Sequence, residues 1–224
     1  MKVSQAVRTR FSARSFLDRP VAAETVRKIL DCARHAPSGG NLQPWHVYVA
    51  MGDETKRLVR TIKQQLETSP DGEETEYSIY PSPLKEPYRT RRFECGVALY
   101  DALGIVREDR VGRRHQFERN YEFFGAPVGM FFCLDRQMGA PQWADIGILM
   151  QTIMLLAREH GLHTCPQESW SHWHETVAEF FRIPDNLMLF CGLSLGYLDP
   201  DDPVNTMRTT RAEVDEFVTF LGTD

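Results

Sequence analysis

The chain has 224 residues, of which 42% are hydrophobic and 25% are charged, and its formal net charge is −5. This composition is typical of a folded globular protein and argues against disorder or a fibrous repeat. A mildly acidic chain lacks the basic field that binds nucleic-acid phosphates, so we expect no nucleic-acid partner. We also expect no membrane partner, because no apolar run reaches the roughly 18 residues of a membrane span.

The five cysteines are widely spaced and indicate neither a disulfide framework nor a zinc ribbon. Their number is odd and no C-x-x-C pair is present, which favours buried free thiols. The first residues lack the apolar run of a signal peptide. We therefore expect a cytoplasmic protein with a single domain over residues 1–224. The cysteines are Cys32, Cys95, Cys133, Cys165 and Cys191.

In the first half of the chain, apolar residues recur at helical spacing in three stretches, and one short run is typical of a strand. The first helix should end before Pro37, because the residue that precedes a proline resists the helical conformation. Asp53 is predicted to cap the second helix. The helical stripes lie at 26–33, 58–66 and 93–103, and the strand is HVYVA at 46–50.

Residues 68–91 separate the second and third of these helices and show no period. They contain four prolines, Pro70, Pro81, Pro83 and Pro87, among many charged residues. An irregular stretch of this length is unusual inside a compact domain and is often a lid or a binding loop. We therefore predict a variable loop or lid at 68–91.

The second half is predicted to contain two buried strands and two internal helices. The continuous apolar runs at 126–134 and 186–198 are typical of strands that are covered on both faces. A buried helical stripe at 146–157 should stop near Gly161, and a shorter helix is expected at about 171–182.

The final helix carries the clearest signal at its start. Thr210 and Glu213 form a T-x-x-E capping box, and an apolar stripe of Val214, Phe217, Val218 and Leu221 follows it. Helices outnumber strands and their order is mixed, so the predicted fold class is α+β.

The pentapeptide GLSLG at 192–196 matches the G-x-S-x-G nucleophile elbow. That motif requires its serine at a sharp turn from strand to helix, with an acid and then a histidine later in the chain. Here Ser194 lies inside an apolar run, and the last histidine, His174, precedes it. We interpret the pentapeptide as small residues in a crowded strand rather than as part of a hydrolase.

The histidines between 160 and 174 do not predict a metal site. Neither H-E-x-x-H nor a paired zinc spacing is present among His160, His163, His172 and His174. Surface or structural roles are sufficient to explain them, so no metal and no catalytic side chain is assigned.

Two basic segments could bind an anion. RTRFSAR at 8–14 places three arginines and Ser12 within seven residues, and guanidinium and hydroxyl groups are suitable ligands for a phosphate or carboxylate. A solvated basic face is an equally good interpretation of this segment alone. Arg208 and Arg211 lie where the start of the last helix is expected, against the helix dipole, which suggests either a shared anion or a surface ion pair.

The segment APSGGNLQPW at 36–45 combines two prolines with adjacent glycines. Gly39 and Gly40 allow another group to approach the main chain closely, whereas the prolines stiffen both ends. The segment is therefore either a tight connection or a wall around a ligand. No G-x-G-x-x-G or P-loop motif is present, so any phosphate must be bound by dispersed side chains.

Taken in order, these segments resemble the FMN-dependent nitroreductase family, and within it the members similar to nitrobenzoate reductases. The resemblance covers nearly the whole chain. Its motifs are R-x-S-x-R-x-F at 10–16, DRPV at 18–21, APSGGNLQPW at 36–45, NYEFFGAP at 120–127, WADIG at 143–147, CPQES at 165–169, CGLSLG at 191–196 and PVNTMRTTR at 203–211.

The resemblance implies a four-stranded antiparallel sheet flanked by helices, in an intertwined homodimer with FMN at the subunit interface. Residues 199–224 would form a C-terminal arm and helix that adds a strand to the partner. The implied cofactor-binding residues are Arg10, Phe11, Ser12, Arg14, Pro37, Ser38, Gly39, Asn41, Pro166, Gln167, Glu168, Ser169 and Arg208.

Within this set the resemblance implies distinct roles. Arg10, Ser12 and Arg208 would bind the phosphate and ribityl chain, and Arg14 would lie toward the ribityl and pyrimidine end. Some relatives have a lysine where this chain has Thr206, so Asn205 and Arg211 are possible substitutes in binding the phosphate. The segment 36–45 would form the wall that the other subunit supplies.

The activity implied is a ping-pong transfer of hydride from NADH or NADPH, through FMN, to a nitroaromatic or a quinone. The 68–91 loop and the aromatic segment 117–124 would shape the acceptor pocket, although the aromatics could equally be ordinary core residues. Free-flavin reduction, dehydrogenation and reductive dehalogenation remain alternatives on the same fold. A flavin-binding protein without turnover is a further alternative.

Overall fold

The structure is a computed structural model that describes residues 1–222. It contains an α+β arrangement in which helices cover both faces of one sheet. Short 3-10 turns connect several elements. The helices are α1 (Val3–Thr9), α2 (Ala23–Ala33), α3 (Asp53–Thr68), α4 (Tyr88–Ala102), α5 (Arg110–Glu118), α6 (Ala140–Glu159) and α7 (His174–Phe181), and the strands are β1 (Trp45–Met51), β2 (Val128–Asp135), β3 (His163–Gln167) and β4 (Leu187–Gly196).

The four strands form one antiparallel sheet in the order β1-β2-β4-β3. The expected four-stranded antiparallel sheet is therefore confirmed. The register places Tyr48 opposite Phe131 and Cys165 opposite Ser194. Within residues 1–222, no helix is sufficiently long and apolar to cross a bilayer.

The central strand β2 is buried on both faces, as its continuous apolar run predicts. Met130 and Phe132 point toward α2 and α6, whereas Phe131 and Cys133 point toward α3 and α7. This alternation follows from the two-residue period of a strand. The sheet thus divides the interior into two apolar layers.

An aromatic cluster fills the layer beneath β3 and β4. The rings of Phe123 and Trp170 stack at 4.6 Å between centroids, and Phe131 meets Trp170 edge-on at 5.0 Å. Both glycines that face this layer lie so close to these rings that no Cβ would fit at Gly129 or Gly192. The cluster consists of Tyr121, Phe123, Phe131, Trp170 and Trp173.

A β-bulge changes which side of β4 faces each layer. Phe132 pairs with Cys191, but the next residue of β2 pairs with Leu189, so Phe190 is the extra residue. After a bulge the alternation of side chains is shifted by one residue. Leu189 consequently faces α7, whereas Cys191 and Leu193 face α6. The same shift turns Ser194 toward the aromatic layer.

The N-terminal segment runs along the outer edge of β3. Ser12 forms a parallel bridge with Thr164, and the amide of Ala13 donates to the carbonyl of Thr164 at 3.0 Å. Further along, Phe16 bridges Leu198. These contacts cover an otherwise exposed strand edge and bring the first basic segment to the end of the sheet.

Most predicted elements are confirmed, with small shifts in their boundaries. The helix expected at about 171–182 is a 3-10 turn at Glu168–Trp173 followed by α7. Gly52, rather than Asp53, is the capping residue of α3, and Asp53 lies in its first turn. The strand β3 and the helices α1 and α5 were not predicted as elements.

The predicted C-terminal α-helix is wrong. Within residues 207–222, only Val214–Glu216 form a helical turn, and it is a 3-10 turn. Glu213 and Glu216, rather than Thr210 and Glu213, form the capping box. A short helix in water is marginal unless its apolar face is packed, and here Phe217 and Leu221 are exposed.

Helix α4 exists as predicted, but its apolar stripe does not enter the core. It contains no buried residue, and Phe93 is 59% exposed. Its spacing therefore predicted the helix correctly, and its apolar side chains remain outside both layers of the core.

Candidate functional site

A basic cavity of about 420 Å³ lies where α1, the N-terminal segment and the start of the C-terminal segment meet. Five of the residues that sequence reasoning assigned to cofactor binding line it, although they come from opposite ends of the chain. Gln151, Met207 and Thr209 were not anticipated. The anticipated residues are Arg10, Phe11, Ser12, Arg14 and Arg208.

Side-chain packing and backbone contacts orient the arginines of this cavity. The guanidinium carbon of Arg208 lies 3.9 Å from the centre of the Phe11 ring, a favourable cation–π contact. Arg208 also donates to the carbonyl of Asn205 at 2.8 Å. Arg14 donates to the carbonyl of Ser12 at 3.3 Å. These contacts leave part of each guanidinium fork available to a ligand.

Asn205 connects the two ends of the chain instead of serving as a phosphate ligand. Its side-chain oxygen accepts from the amide of Arg14 at 2.9 Å, and its amide donates to the carbonyls of Ser15 and Asp199 at 2.8 Å each. Both amide hydrogens are used, so the suggestion that Asn205 replaces a phosphate contact is wrong. Arg211 does line the cavity.

The cavity is strongly positive. Among residues 1–222, none of Arg10, Arg14, Arg208 and Arg211 forms an ion pair with a carboxylate. Burial, followed by repulsion from Arg211, lowers the pKa of the Arg10 guanidinium. Guanidinium groups gathered without counter-charges fit a phosphate, which they can bind through paired hydrogen bonds. The residues present therefore suit an anionic cofactor tail.

His163 lies behind this cavity as a neutral side chain. Burial and the charges of Arg158 and Arg208 lower its pKa to about 4. Arg158 lies 3.1 Å from Nδ1 of His163, and a guanidinium can only donate. Nδ1 is therefore the acceptor, and Nε2 carries the proton. This arrangement keeps one more positive charge out of the cluster at neutral pH.

A second cavity of about 620 Å³ lies at the end of β3. The segment Pro166, Gln167, Glu168 and Ser169 lines it, and burial raises the pKa of the Glu168 carboxyl. The rest of the lining comes from the segment between α3 and α4, from the last turn of α5 and from the 3-10 turn that follows it. This part of the lining includes Ile79, Tyr80, Pro81, Leu84, Phe117 and Asn120.

The irregular segment between α3 and α4, residues 69–87, consists of two dissimilar parts. Its first part is attached to the core, because the Glu73 carboxylate accepts from the amides of Glu175 and Thr176 at 2.7 and 3.0 Å. The hydroxyl of Tyr77 donates to the carbonyl of Phe190. Its second part, Ile79–Leu84, lines the second cavity. The predicted lid is thus anchored at one end.

The segment 36–45 lies apart from both cavities. Within residues 1–222, none of Pro37, Ser38, Gly39 and Asn41 lines either one. Instead the amide of Gly39 donates to the Asp145 carboxylate at 3.3 Å, near the start of α6. Gly40 has φ of +58°, which favours glycine. Within one chain, this segment therefore does not lie beside the other residues that were predicted to bind the cofactor.

Ser194 is not a nucleophile. It is completely buried within β4 and donates to the side chain of Gln167. A nucleophile elbow needs an exposed serine at a turn, so the hydrolase interpretation is excluded by geometry. In the described part of the chain, no three potential metal ligands come together.

The family of the chain follows from these positions together with its sequence. The model of the nitroreductase family matches residues 7–197. This range includes Arg10–Arg14 of the first cavity and Pro166–Ser169 of the second. The chain belongs to the nitroreductase family. Among its relatives, a chloronitrobenzene nitroreductase of Comamonas testosteroni is 40% identical over 219 residues, which cover 98% of this chain and 96% of that protein.

Other nitroreductases agree over similar lengths. A 4-nitrobenzoate reductase of Nocardioides sp. is 40% identical over 220 residues, covering 97% of this chain and 89% of the relative. The crystal structure of an FMN and NADPH-dependent nitroreductase, NfnB from Sphigopyxis sp. strain HMH, superimposes with a TM-score of 0.95 at 42% identity. The superposition covers 99% of this chain and 100% of the NfnB chain. The nitroreductase fold is therefore confirmed.

Proposed function

We propose that this protein is an FMN-dependent oxidoreductase that uses NADH or NADPH to reduce nitroaromatic compounds. The observation that carries the proposal is the cluster of Arg10, Arg14 and Arg208 beside Ser12, which lacks carboxylate partners in the described chain. Membership of the nitroreductase family and 40% identity to reductases of nitrobenzene derivatives support the same conclusion.

The basic cavity would hold the phosphate and ribityl chain of FMN. Arg10, Ser12 and Arg208 would bind the phosphate, and Arg14 would lie toward the ribityl and pyrimidine end. Charge-assisted hydrogen bonds of this kind are roughly twice as strong as neutral ones. Because Phe11 packs against Arg208, it would hold that guanidinium in place rather than contact the phosphate itself.

When bound, FMN supplies hydride transfer between a nicotinamide and an acceptor, and the protein supplies binding and orientation. The backbone of Pro166–Ser169 would present polar groups to the ring, because this segment lines the cavity beyond β3. Ile79–Leu84 and Phe117 would form the apolar wall for a flat acceptor. Donor and acceptor would occupy this cavity in turn, giving ping-pong kinetics, and quinones would fit the same space.

The segment 36–45 would complete the site from a second subunit in a homodimer. Its backbone is already fixed by the contact between Gly39 and Asp145, and it lies away from the cavities of its own chain. Pro37, Ser38, Gly39 and Asn41 would then form the wall of the partner's FMN site. The C-terminal segment 207–222 would extend onto the partner, where its exposed apolar side chains would be buried.

The test is an anaerobic titration of the purified protein. We expect a yellow protein whose flavin absorbance is bleached by NADH or NADPH and returns on addition of 4-nitrobenzoate or nitrobenzene. A colourless protein that does not take up FMN would refute the proposal. Bleached protein that is reoxidised by free flavin, but not by nitroaromatics or quinones, would favour a flavin reductase.

The phosphate role of Arg208 is tested by Arg208→Ala. Loss of one charged hydrogen bond of about 1.5–3 kcal/mol should weaken FMN binding by roughly 10- to 100-fold. Arg60→Ala is the matched control, because Arg60 lies on the exposed side of α3. Equal FMN affinities in the two variants, measured by fluorescence titration, would show that Arg208 does not bind the phosphate.

A further inference from the structure

Ser194 is the one residue of the GLSLG pentapeptide whose side chain makes a polar contact that the proposed function has not used. Its hydroxyl donates to Oε1 of Gln167 at 2.5 Å. Both residues are buried, with 0% and 2% of their surface exposed. Such a contact needs a reason, because a buried polar group is costly unless it is paired.

Gln167 is held at both ends of its amide. While Oε1 accepts from Ser194, Nε2 donates to the carbonyl of Asn120 at 2.6 Å and lies 3.4 Å from the Asn120 side-chain oxygen. Asn120 is fixed in turn, because its amide donates to the carbonyl of Phe117 at 2.8 Å. Both the acceptor and the donor groups of the Gln167 amide are therefore paired.

The network joins two chain segments that line the second cavity. Gln167 stands at the end of β3, and Asn120 lies in the 3-10 turn that follows α5. Ser194 reaches this point only because the bulge at Phe190 turns it toward the aromatic layer. Bulges often re-aim side chains beside functional sites. The contact thus fixes the end of β3 relative to the turn that contains Asn120.

We propose that Ser194 is a positioning residue that acts through Gln167, and that it orients the Gln167–Ser169 backbone toward the bound flavin and acceptor. This inference rests on the proposed function. The hydroxyl of Ser194 fixes one rotamer of Gln167, and that rotamer fixes the backbone turn that begins at Gln167. A site that is held rigidly by supporting contacts keeps its groups in productive geometry, whereas a small misplacement is costly.

Ser194→Ala removes the hydroxyl and leaves Oε1 of Gln167 unpaired. In the FMN-loaded protein we expect kcat to fall about tenfold, equivalent to ~1.4 kcal/mol, while KM changes less than twofold. A tenfold change in the relative affinity for the two redox states of the flavin would shift its midpoint potential by about 30 mV. Ser194→Thr keeps the hydroxyl and should therefore retain the kcat and the midpoint potential of the parent protein.

Thr55→Val is the matched control for a loss of stability alone. Thr55 is also buried, and its hydroxyl donates to the carbonyl of Pro127 at 3.1 Å, away from the second cavity. This variant should be destabilised to a similar degree but should keep the parent's kcat and midpoint potential. If Ser194→Ala behaves like Thr55→Val in both measurements, Ser194 is purely structural and the proposal is overturned.

A double-mutant cycle tests whether Ser194 acts through Gln167. In a Gln167→Met background, Ser194→Ala should have no further effect, because the two side chains no longer form a hydrogen bond. Additive losses would refute the network. Amide hydrogen exchange at residues 167–169 should be faster in Ser194→Ala and unchanged in Thr55→Val. That measurement decides the proposal even if the protein fails to bind FMN, which would refute only the proposed function.

Discussion

The aromatic cluster around Trp170 and the C-terminal segment 207–222 carry similar apolar side chains in different surroundings. Trp170 and Phe123 are completely buried between the sheet and its 3-10 turns. Phe217 and Phe220 are 70% and 59% exposed on the same chain. The apolar pattern of a sequence therefore identifies side chains that favour burial, but it does not identify which part of the protein or which partner buries them. The cluster is covered within the chain, whereas the C-terminal segment is not; in the proposed homodimer the partner would cover it.

Of these two regions, the aromatic cluster is expected to tolerate substitutions least. A Cβ at Gly192 would lie 2.3 Å from Cδ1 of the fully buried Trp170. Gly192→Ala should therefore lower the free energy of unfolding by about 3 kcal/mol, because a packed core cannot accommodate the added volume. Chemical denaturation measures this change.

Gly96→Ala is the control for that substitution. No atom lies within 4 Å of a Cβ built at Gly96 in α4, and alanine favours a helix by about 0.5–1 kcal/mol over glycine. Gly96→Ala should therefore stabilise the protein slightly. A stable Gly192→Ala protein would mean that Trp170 can move, and the cluster would then be less rigid than the packing indicates.

The C-terminal segment is expected to contribute to association rather than to the stability of one chain. Replacing Phe217 and Phe220 together by serine should weaken the proposed homodimer by about 2 kcal/mol, or roughly 30-fold, because the interface would lose the apolar area that the two rings bury. Sedimentation equilibrium measures the change. Val111→Ser, at a site that is 81% exposed on α5, should leave association unchanged. Equal association in the two proteins would remove the proposed role of the segment.

Between these extremes, His163 should make stability depend on pH. In the folded protein the pKa of His163 is about 4, below the usual value of 6.5. Between these two pH values the histidine is protonated in the unfolded chain and neutral in the folded chain. The stabilising contribution is present above pH 6.5 and is lost as the pH falls toward 4. Partial exposure limits it to about 1 kcal/mol.

His163→Asn provides the comparison, because asparagine keeps an acceptor for Arg158 but does not titrate. Between pH 6.5 and 4.5, the free energy of unfolding should fall by ~1 kcal/mol more in the parent than in the variant. Parallel pH profiles for the two proteins would assign the acid sensitivity to other groups.

The smallest effect on stability is expected from the ion pair that joins the C-terminal segment to α4. Arg91 and Glu216 form an ion pair at 3.0 Å, with 44% and 53% of their side chains exposed. Exposed pairs contribute little, so Arg91→Gln should change the free energy of unfolding by less than about 0.5 kcal/mol. A larger loss in thermal unfolding would show that this pair holds the segment against α4.

Within the sheet, the sequence predicted strands where the signal was continuous and missed β3. The runs that became β2 and β4 are long and apolar, as expected for strands covered on both faces. In contrast, β3 is five residues long and contains Pro166, and proline within a run argues against a strand. At the end of the sheet, with Ser12 and Ala13 along its outer edge, that proline is tolerated.

The candidate site shows a similar division. Arginines and a serine spaced as in R-x-S-x-R could be recognised as an anion site, because these groups suit a phosphate wherever they lie. Their meeting with Arg208 could not be derived from spacing, since 198 positions separate Arg10 from it in the sequence. Asn205 makes that meeting possible by bonding to Arg14 and Ser15, a role for which no local pattern exists.

The sequence by itself determined the family, the α+β class, the two buried strands and the residue types that can bind an anionic cofactor. These properties depend on local periodicity and on motifs of a few residues. The tertiary structure decided that Ser194 faces Gln167, that Asn205 joins the chain ends and that α4 remains uncovered. Each depends on contacts between distant segments, where a single bulge at Phe190 reverses which side chains meet.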